Sequence, residues 1–265
     1  MFLIFIFILG LIIGSFLNVV ICRLETKESI FFARSKCPQC GAVLKWHDLI
    51  PVISFLIQKG KCQYCKKKIS WQYPIIEIAT GLLFVSVILS QQTKNLYLLD
   101  PLLTLKMTFY FLIICFLIII FVYDLRHYII PDKIVYPAII IALLFNLFNY
   151  KLQITNYELL KVLLSAFIPA AFFLSLILIS KGKWMGLGDV KLAFLMGLIL
   201  GWPGILIALL LSFFSGAIIG LCLILFGKKE LKSQIPFGPF LSGLTILVML
   251  FGSKLFYWFE ALLYF

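Results

Sequence analysis

The stretch KGKWMGLGDVK, Lys181 to Lys191, separates two long apolar runs and places a single aspartate behind two glycines. Asp189 follows Gly186 and Gly188 and leads through Val190 and Lys191 into renewed hydrophobic sequence. Apolar runs of this length read as membrane-spanning helices, so the aspartate falls near the rim of a bilayer. An acid at that depth is costly to ionise without water or a partner, which makes it a functional candidate. The matching acid is Asp124, in YDLRHYIIPD, at the end of an earlier apolar run.

The rest of the chain agrees with a membrane setting. It has 265 residues, 63% hydrophobic and 13% charged, with a net charge of +12. Soluble domains are closer to half apolar, so the expectation is an all-α polytopic membrane protein. A basic surplus could point to nucleic acid, but the lysines gather in short loops between apolar runs, which is the pattern that orients membrane proteins. Nucleic-acid binding is therefore set aside; the partner implied by composition is the lipid bilayer.

Windows of about 20 apolar residues predict about eight transmembrane helices, near 2–22, 75–91, 102–123, 134–150, 158–180, 190–201, 203–226 and 239–262. The 190–201 span is short and ends at Gly201-Trp202-Pro203-Gly204, which reads as a tight turn. The first run has no basic residue before it and no small-x-small cleavage site, so it reads as a retained first helix with its N-terminus outside. Gly10, Gly14 and Ser15 give it a small face for another helix. The loops 23–74, 124–133, 181–191 and 227–238 then fall in the cytoplasm and hold 18 of the 23 Lys and Arg. Lys94, Lys106, Lys151, Lys161 and Lys254 make up the remainder. This topology puts Asp124 and Asp189 on the same side, as cooperation between them requires.

Three regions follow: a first helix (1–22), a cytoplasmic module (23–74) and a membrane domain (75–265) with catalytic loops 124–133 and 181–191. The module contains Cys37-Pro-Gln-Cys40 and Cys62-Gln-Tyr-Cys65, two CxxC knuckles separated by 21 residues. Four thiolates at this spacing form a zinc-ribbon-like signature. A pair of disulfides is the competing reading, but the lysine count puts the loop in a reducing compartment. Four sulfurs would fill the coordination sphere, so the zinc is expected to be structural and to supply folding energy. His47 is a weaker candidate ligand. Cys22, Cys115 and Cys222 lie in or beside apolar helices and read as small hydrophobes.

Two carboxylates sharing a site cannot both ionise cheaply, so one keeps a proton while the other is charged. That arrangement can activate water against a peptide bond. The chain offers no HExxH and no GxSxG, and its two histidines show no triad spacing. Each acid also has a plainer reading. Asp124 could be an end-of-helix acid paired to Arg126 or His127, and Asp189 an N-cap with Gly186 and Gly188 as turn residues. Asp132 reads mainly as the N-cap of the next helix. Lys191 could face headgroups or tune the carboxylates. Glu77, an acid in an apolar span, could line the site, pair with a base or sit at the interface.

Taken together, several motifs resemble the type IV prepilin peptidase family, the bifunctional leader peptidase/N-methyltransferases of bacterial inner membranes. They are Gly14-Ser15-Phe16-Leu17-Asn18-Val19-Val20 with Arg23-Leu24, the cysteine module, Ile69-Ser70, Tyr73-Pro74 and Glu77. DLRHYIIPD from Asp124, GLGDVKL from Gly186 and Pro236-Phe237-Gly238-Pro239-Phe240 complete the set in family order. Cys22 stands where an aromatic is common. The resemblance implies that Asp124 and Asp189 are the catalytic pair of a GxGD-type intramembrane aspartyl protease. It implies type IV prepilin or pseudopilin precursors as substrates, cut at a short basic leader. It also implies N-methylation of the new N-terminus with S-adenosylmethionine, for which no residue here can be named. Three rival readings are a proton-coupled transporter, a non-enzymatic assembly factor that uses the cysteine module to hold partners, and another intramembrane aspartyl protease with a different substrate.

Overall fold

The apolar runs fold as helices in the computed structural model, which describes residues 1–24, 26, 29–30, 32–92, 101–153, 156–182, 185–226 and 235–263. The long elements are α1 (Phe2–Arg23), α3 (Gln72–Gln92), α4 (Pro101–His127), α5 (Asp132–Gln153), α6 (Asn156–Ser180), α7 (Leu187–Leu225) and α8 (Gly238–Leu263). A short helix, α2 (Ile53–Ile57), lies within the cysteine-containing segment. No strand occurs among the described residues, only two isolated bridges. This is the expected all-α polytopic architecture. The eight predicted spans fall on α1, α3, α4, α5, α6, the two limbs of α7 and α8. Among the described residues, five helices are long and apolar enough to cross a membrane: those over Phe2–Arg23, Gln72–Ser90, Leu103–His127, Leu160–Ser180 and Leu187–Leu225. Gly238–Gly252 is a shorter apolar helix. Lys27, Lys94, Lys183, Lys228, Lys229 and Lys232, which enter the orientation argument, lie outside the described residues.

The chain divides into two compact units, Met1–Ile119 and Ile120–Phe265, with the division inside α4. In the first unit α1 packs on α3 through glycines. A Cβ at Gly10 would stand 2.6 Å from the Gly81 Cα, and one at Gly14 would stand 2.7 Å from the Glu77 Cα. The small face of α1 is what allows this backbone approach. Asn18, buried at the pair, donates to the carbonyls of Gly14 (3.3 Å) and Tyr73 (3.2 Å) and accepts from Gln72 Nε2 (3.3 Å). At the end of α1 the Arg23 guanidinium donates to the carbonyls of Ser29, Ala33 and Arg34, each at 3.0 Å. These bonds gather the start of the hydrophilic segment onto the helix end. Phe84 of α3 stacks on Phe111 of α4 with ring centroids 4.4 Å apart.

In the second unit α7 is the central element, packing on α5, α6 and α8. Its backbone leaves helical geometry at Gly201 (φ 60°, ψ −172°) and Trp202 (φ −89°, ψ 137°), so the expected turn separates two limbs of one long element. A glycine suits that left-handed φ because it has no Cβ to clash. The first limb touches α6 at Gly197, where a Cβ would run into the backbone of Ser165 and Ala166. Ser165 Oγ donates to the Gly197 carbonyl at 2.9 Å, and Asn146 Nδ2 of α5 donates to that of Leu198 at 2.9 Å. The second limb packs through aromatics: Phe213 lies 6.0 Å from Phe173 of α6 and 5.1 Å from Phe237. Packing on α5, α6 and α8 thus supports α7, whose first turn carries Asp189.

Candidate active site and metal centre

Asp124 is on the last turn of α4, not in the loop after it. The helix closes when the Tyr128 N–H donates to the Asp124 carbonyl at 2.9 Å. Tyr128 takes φ 57° there, the left-handed conformation that stops a helix. Asp189 is likewise inside a helix. The N-cap of α7 is Gly186, and Asp189 is the third helical residue, its Oδ2 accepting from the Gly186 N–H at 3.3 Å. The plainer reading of Asp189 as the N-cap is thereby corrected: its carboxylate reaches back to the cap from one turn in.

The two acids meet at one corner of the second unit: Ile130 stands against Gly188, which precedes Asp189, and against Gly238, which crowds the Asp124 carboxylate. Asp124 is 4% exposed and Asp189 9% exposed. The Asp124 carboxylate lies directly against the backbone of Gly238, the first residue of α8. Two helix N-termini, those of α7 and α8, therefore lie beside the acids, where the macrodipole is positive. His127, one candidate partner of Asp124, stacks on Tyr123 with ring centroids 4.5 Å apart.

Two residues not assigned a role from the sequence complete the surroundings. A Cβ on Gly238 would stand 2.5 Å from Asp124 Oδ2 and 3.2 Å from Ile130 Cδ1. A Cβ on Gly188 would stand 2.9 Å from Ile130 Cβ. Ile130, buried beyond the end of α4, thus fills the corner against both glycines. Gly186 is different: its nearest contact would be the Gly188 nitrogen at 3.9 Å. Of the two glycines in Gly186-Leu-Gly188-Asp189, only the second is crowded. The PFGPF run was a legible signal for Gly238, a glycine between two prolines at a helix start. Ile130 carried none, because its role depends on what faces it.

Lys191 pairs with Asp132, Nζ to Oδ1 at 2.7 Å, and stands 4.9 Å over the Tyr136 ring. Both of these partners are on α5. Asp132 is the first residue of α5, and the carbonyl of Pro131 accepts the bonds that open the helix, from Ile134 (3.0 Å) and Val135 (3.1 Å). The capping role expected of Asp132 gives way to the lysine pair. Glu77, 6% exposed in α3, accepts from the Val52 N–H at 2.7 Å. Of its three readings, the observed contact is with the cysteine-containing segment. A cleft of ≈ 700 Å³ between α6 and the second limb of α7 is lined by apolar residues such as Ile168, Phe172, Trp202, Leu206 and Phe213. It offers nothing ionisable for hydrolysis.

The sulfurs of Cys37, Cys40, Cys62 and Cys65 all lie within 4.8 Å of one another. Cys37 and Cys65 Sγ are 4.0 Å apart. A tetrahedral ion with Zn–S bonds of about 2.3 Å needs sulfurs roughly 3.8 Å apart, so the four residues fit. The two knuckles are built alike. The Gly41 N–H donates to the Cys37 carbonyl and the Lys66 N–H to that of Cys62, each at 2.9 Å, and antiparallel bridges Lys36–Val43 and Lys61–Lys68 flank them. Burial pushes the Cys37 thiol up, but backbone bonds from Gln39 and Cys40 and its neighbouring thiols outweigh this and bring it to about 7. At Cys40 a backbone bond from Ala42 lowers the thiol, while burial and the Cys37 and Cys65 sulfurs push it up to about 11. His47 stays outside the cluster, edge-on to Trp46 at 5.6 Å. Asp48 ties the knuckles' surroundings together by accepting from Lys45 N, Gln58 Nε2 and the Tyr64 hydroxyl at 3.0, 2.9 and 3.2 Å.

Residues 8–91 match the family described as the bacterial peptidase A24 N-terminal domain, and residues 111–221 match the type IV leader peptidase family. The first range contains the four cysteines and Glu77; the second contains Asp124 and Asp189. The chain is similar to the prepilin leader peptidase/N-methyltransferase of Stutzerimonas stutzeri, 30% identical over 276 residues, covering 94% of this chain and 90% of that protein. The protein of the same name from Bacillus subtilis is 31% identical over 252 residues, with 94% of each chain covered. That from Myxococcus xanthus is 34% identical over 234 residues, covering 85% of this chain and 64% of that protein. No solved structure gives a significant match. The chain belongs to the type IV leader peptidase family.

Proposed function

We propose that the chain is a membrane-embedded aspartic endopeptidase that removes the short basic leader from type IV prepilins or pseudopilins. The cut is made at the cytoplasmic face of a bacterial inner membrane. The observation that carries this reading is that Asp124 and Asp189 are both buried at one corner of the second unit, beside the N-termini of α7 and α8. The names of the relatives support the substrate class.

In this reading the pair shares one proton. The ionised carboxylate takes a proton from water, and the water oxygen bonds to the scissile carbonyl carbon. The protonated carboxyl donates to the carbonyl oxygen and stabilises the charge that develops there. The carbon–nitrogen bond then breaks, and the leaving amine receives the proton taken from water. Gly186 holds the Asp189 carboxylate through its backbone N–H, and the Asp124 carboxylate packs against Gly238. Cys37, Cys40, Cys62 and Cys65 would hold a zinc ion, which supplies folding energy to the module when bound. The relatives' names also support methylation of the newly exposed N-terminus, with S-adenosylmethionine as the methyl-donating substrate.

The test is cleavage of a prepilin-like precursor by the purified chain in lipid, comparing the parent with Asp124→Asn and Asp189→Asn. Asparagine keeps the shape and loses the titratable proton, so either change should abolish cleavage while zinc content stays the same. Residual cleavage by Asp124→Asn would shift the role to Asp132 and refute the pair.

A further inference from the structure

We propose that α2 of the cysteine-containing segment is an interfacial foot, seated in the headgroup layer of an anionic bilayer. The helix reads Ile53-Ser-Phe-Leu-Ile57, too short to persist on its own propensity. Only Phe55 is turned into the protein. Ile53, Leu56 and Ile57 are 53%, 65% and 75% exposed, and their spacing puts them on one helical face. A contiguous apolar face at the surface marks an interaction site.

Two contacts set the depth of that face. The Phe55 ring packs against Trp71 with centroids 5.0 Å apart, and Trp71 immediately precedes the membrane span that starts at Gln72. The Val52 N–H, at the start of α2, donates to Glu77 Oε2 at 2.7 Å. Glu77 is five residues into that span, about 7.5 Å along a helix rising 1.5 Å per residue. Helices lying in the interface sink roughly 5–10 Å into the boundary of headgroups and acyl chains. The buried carboxylate of Glu77 therefore anchors α2 at the level of the membrane rim. Val52 takes φ 60°, an unfavourable conformation for a β-branched residue, and in it the N–H is the group that bonds Glu77.

Charge selects the lipid. Lys59, Lys61, Lys66, Lys67 and Lys68 follow α2 and Lys45 precedes it. The one acid between residues 45 and 71, Asp48, is committed to Lys45 N, Gln58 and Tyr64. A basic border beside an apolar face, with a tryptophan at the span edge, matches anionic headgroups over acyl chains.

The test places the photoreactive residue benzoylphenylalanine at Leu56 or Ile57 of the full chain. The protein is reconstituted in phosphatidylcholine vesicles with and without phosphatidylglycerol, and zinc content confirms an intact module. Illumination should give lipid adducts at both positions, several-fold more abundant when phosphatidylglycerol is present. Adducts to protein instead, from this chain or a second copy, would overturn the proposal. Equal yields in the two vesicles would overturn its anionic part. Glu77→Ala should reduce the lipid adduct at Ile57 several-fold with zinc retained, and an unchanged yield would remove Glu77 as the anchor.

Discussion

Replacing Gly238 by alanine adds one methyl group at the point where α8 meets the candidate catalytic pair. The new Cβ would stand 2.5 Å from Asp124 Oδ2, whereas ordinary contact begins at 3.4 Å. Relief requires the carboxylate to withdraw by about 0.9 Å, because the new methyl group is itself hemmed in by Ile130 Cδ1 at 3.2 Å. Moving α8 instead would disturb its packing on α7. Misplacing a reacting group by about 1 Å costs on the order of 10²-fold in rate, equivalent to about 2.7 kcal/mol of transition-state stabilisation. Overpacking of this kind costs about 1–3 kcal/mol in stability. The expected outcome is a drop in kcat of roughly 10²-fold with KM little changed. The assay is precursor cleavage by reconstituted protein, with thermal unfolding followed in parallel. Activity within about threefold of the parent, or a loss confined to KM, would show that Asp124 is not held where the chemistry needs it.

Gly188→Ala should be nearly as damaging, since its Cβ would meet Ile130 at 2.9 Å. Gly186→Ala keeps the N–H that serves Asp189 and meets nothing closer than 3.9 Å, so its loss should stay below about tenfold in the same assay. In the metal site, thiolates bind and thiols do not. With Cys37 near 7 and Cys40 near 11, zinc uptake by stripped protein should release protons and weaken as pH falls through 7. Competition against a chromophoric chelator across pH measures this, and a flat profile would exclude the four-thiolate site. Gly10→Val or Gly14→Val should force α1 from α3, because Cβ atoms there would lie 2.6 and 2.7 Å from opposing Cα atoms. The expected result is a large loss of thermal stability, and a cost below about 1 kcal/mol would refute the close helix contact.

How much of this was legible beforehand depends on how local each signal is. The apolar runs announced the helices because a bilayer-spanning segment must satisfy its backbone internally and cover itself with apolar side chains. The two CxxC knuckles announced their cluster because each pair of ligands is set by a tight local turn. The small face of α1 was visible as Gly10 and Gly14, although its partner was not. Asp124 and Asp189 stood out as acids at the ends of apolar runs, since such positions are costly to occupy without use. Their assignment to loops was off by a turn at each site, because a left-handed Tyr128 and a capping Gly186 set those helix ends.

Other features exist only through convergence of remote segments. Gly238 crowds Asp124 across more than a hundred residues of chain, and Ile130 fills the corner between Gly188 and Gly238. Lys191 is drawn to Asp132 and Tyr136, and Glu77 reaches the N–H of Val52. Sequence by itself determined which segments enter the membrane, which thiols cluster and which acids deserve a role. The tertiary structure decided which atoms touch, because periodicity and spacing act within one element while van der Waals exclusion and hydrogen bonding act between elements that only packing brings together.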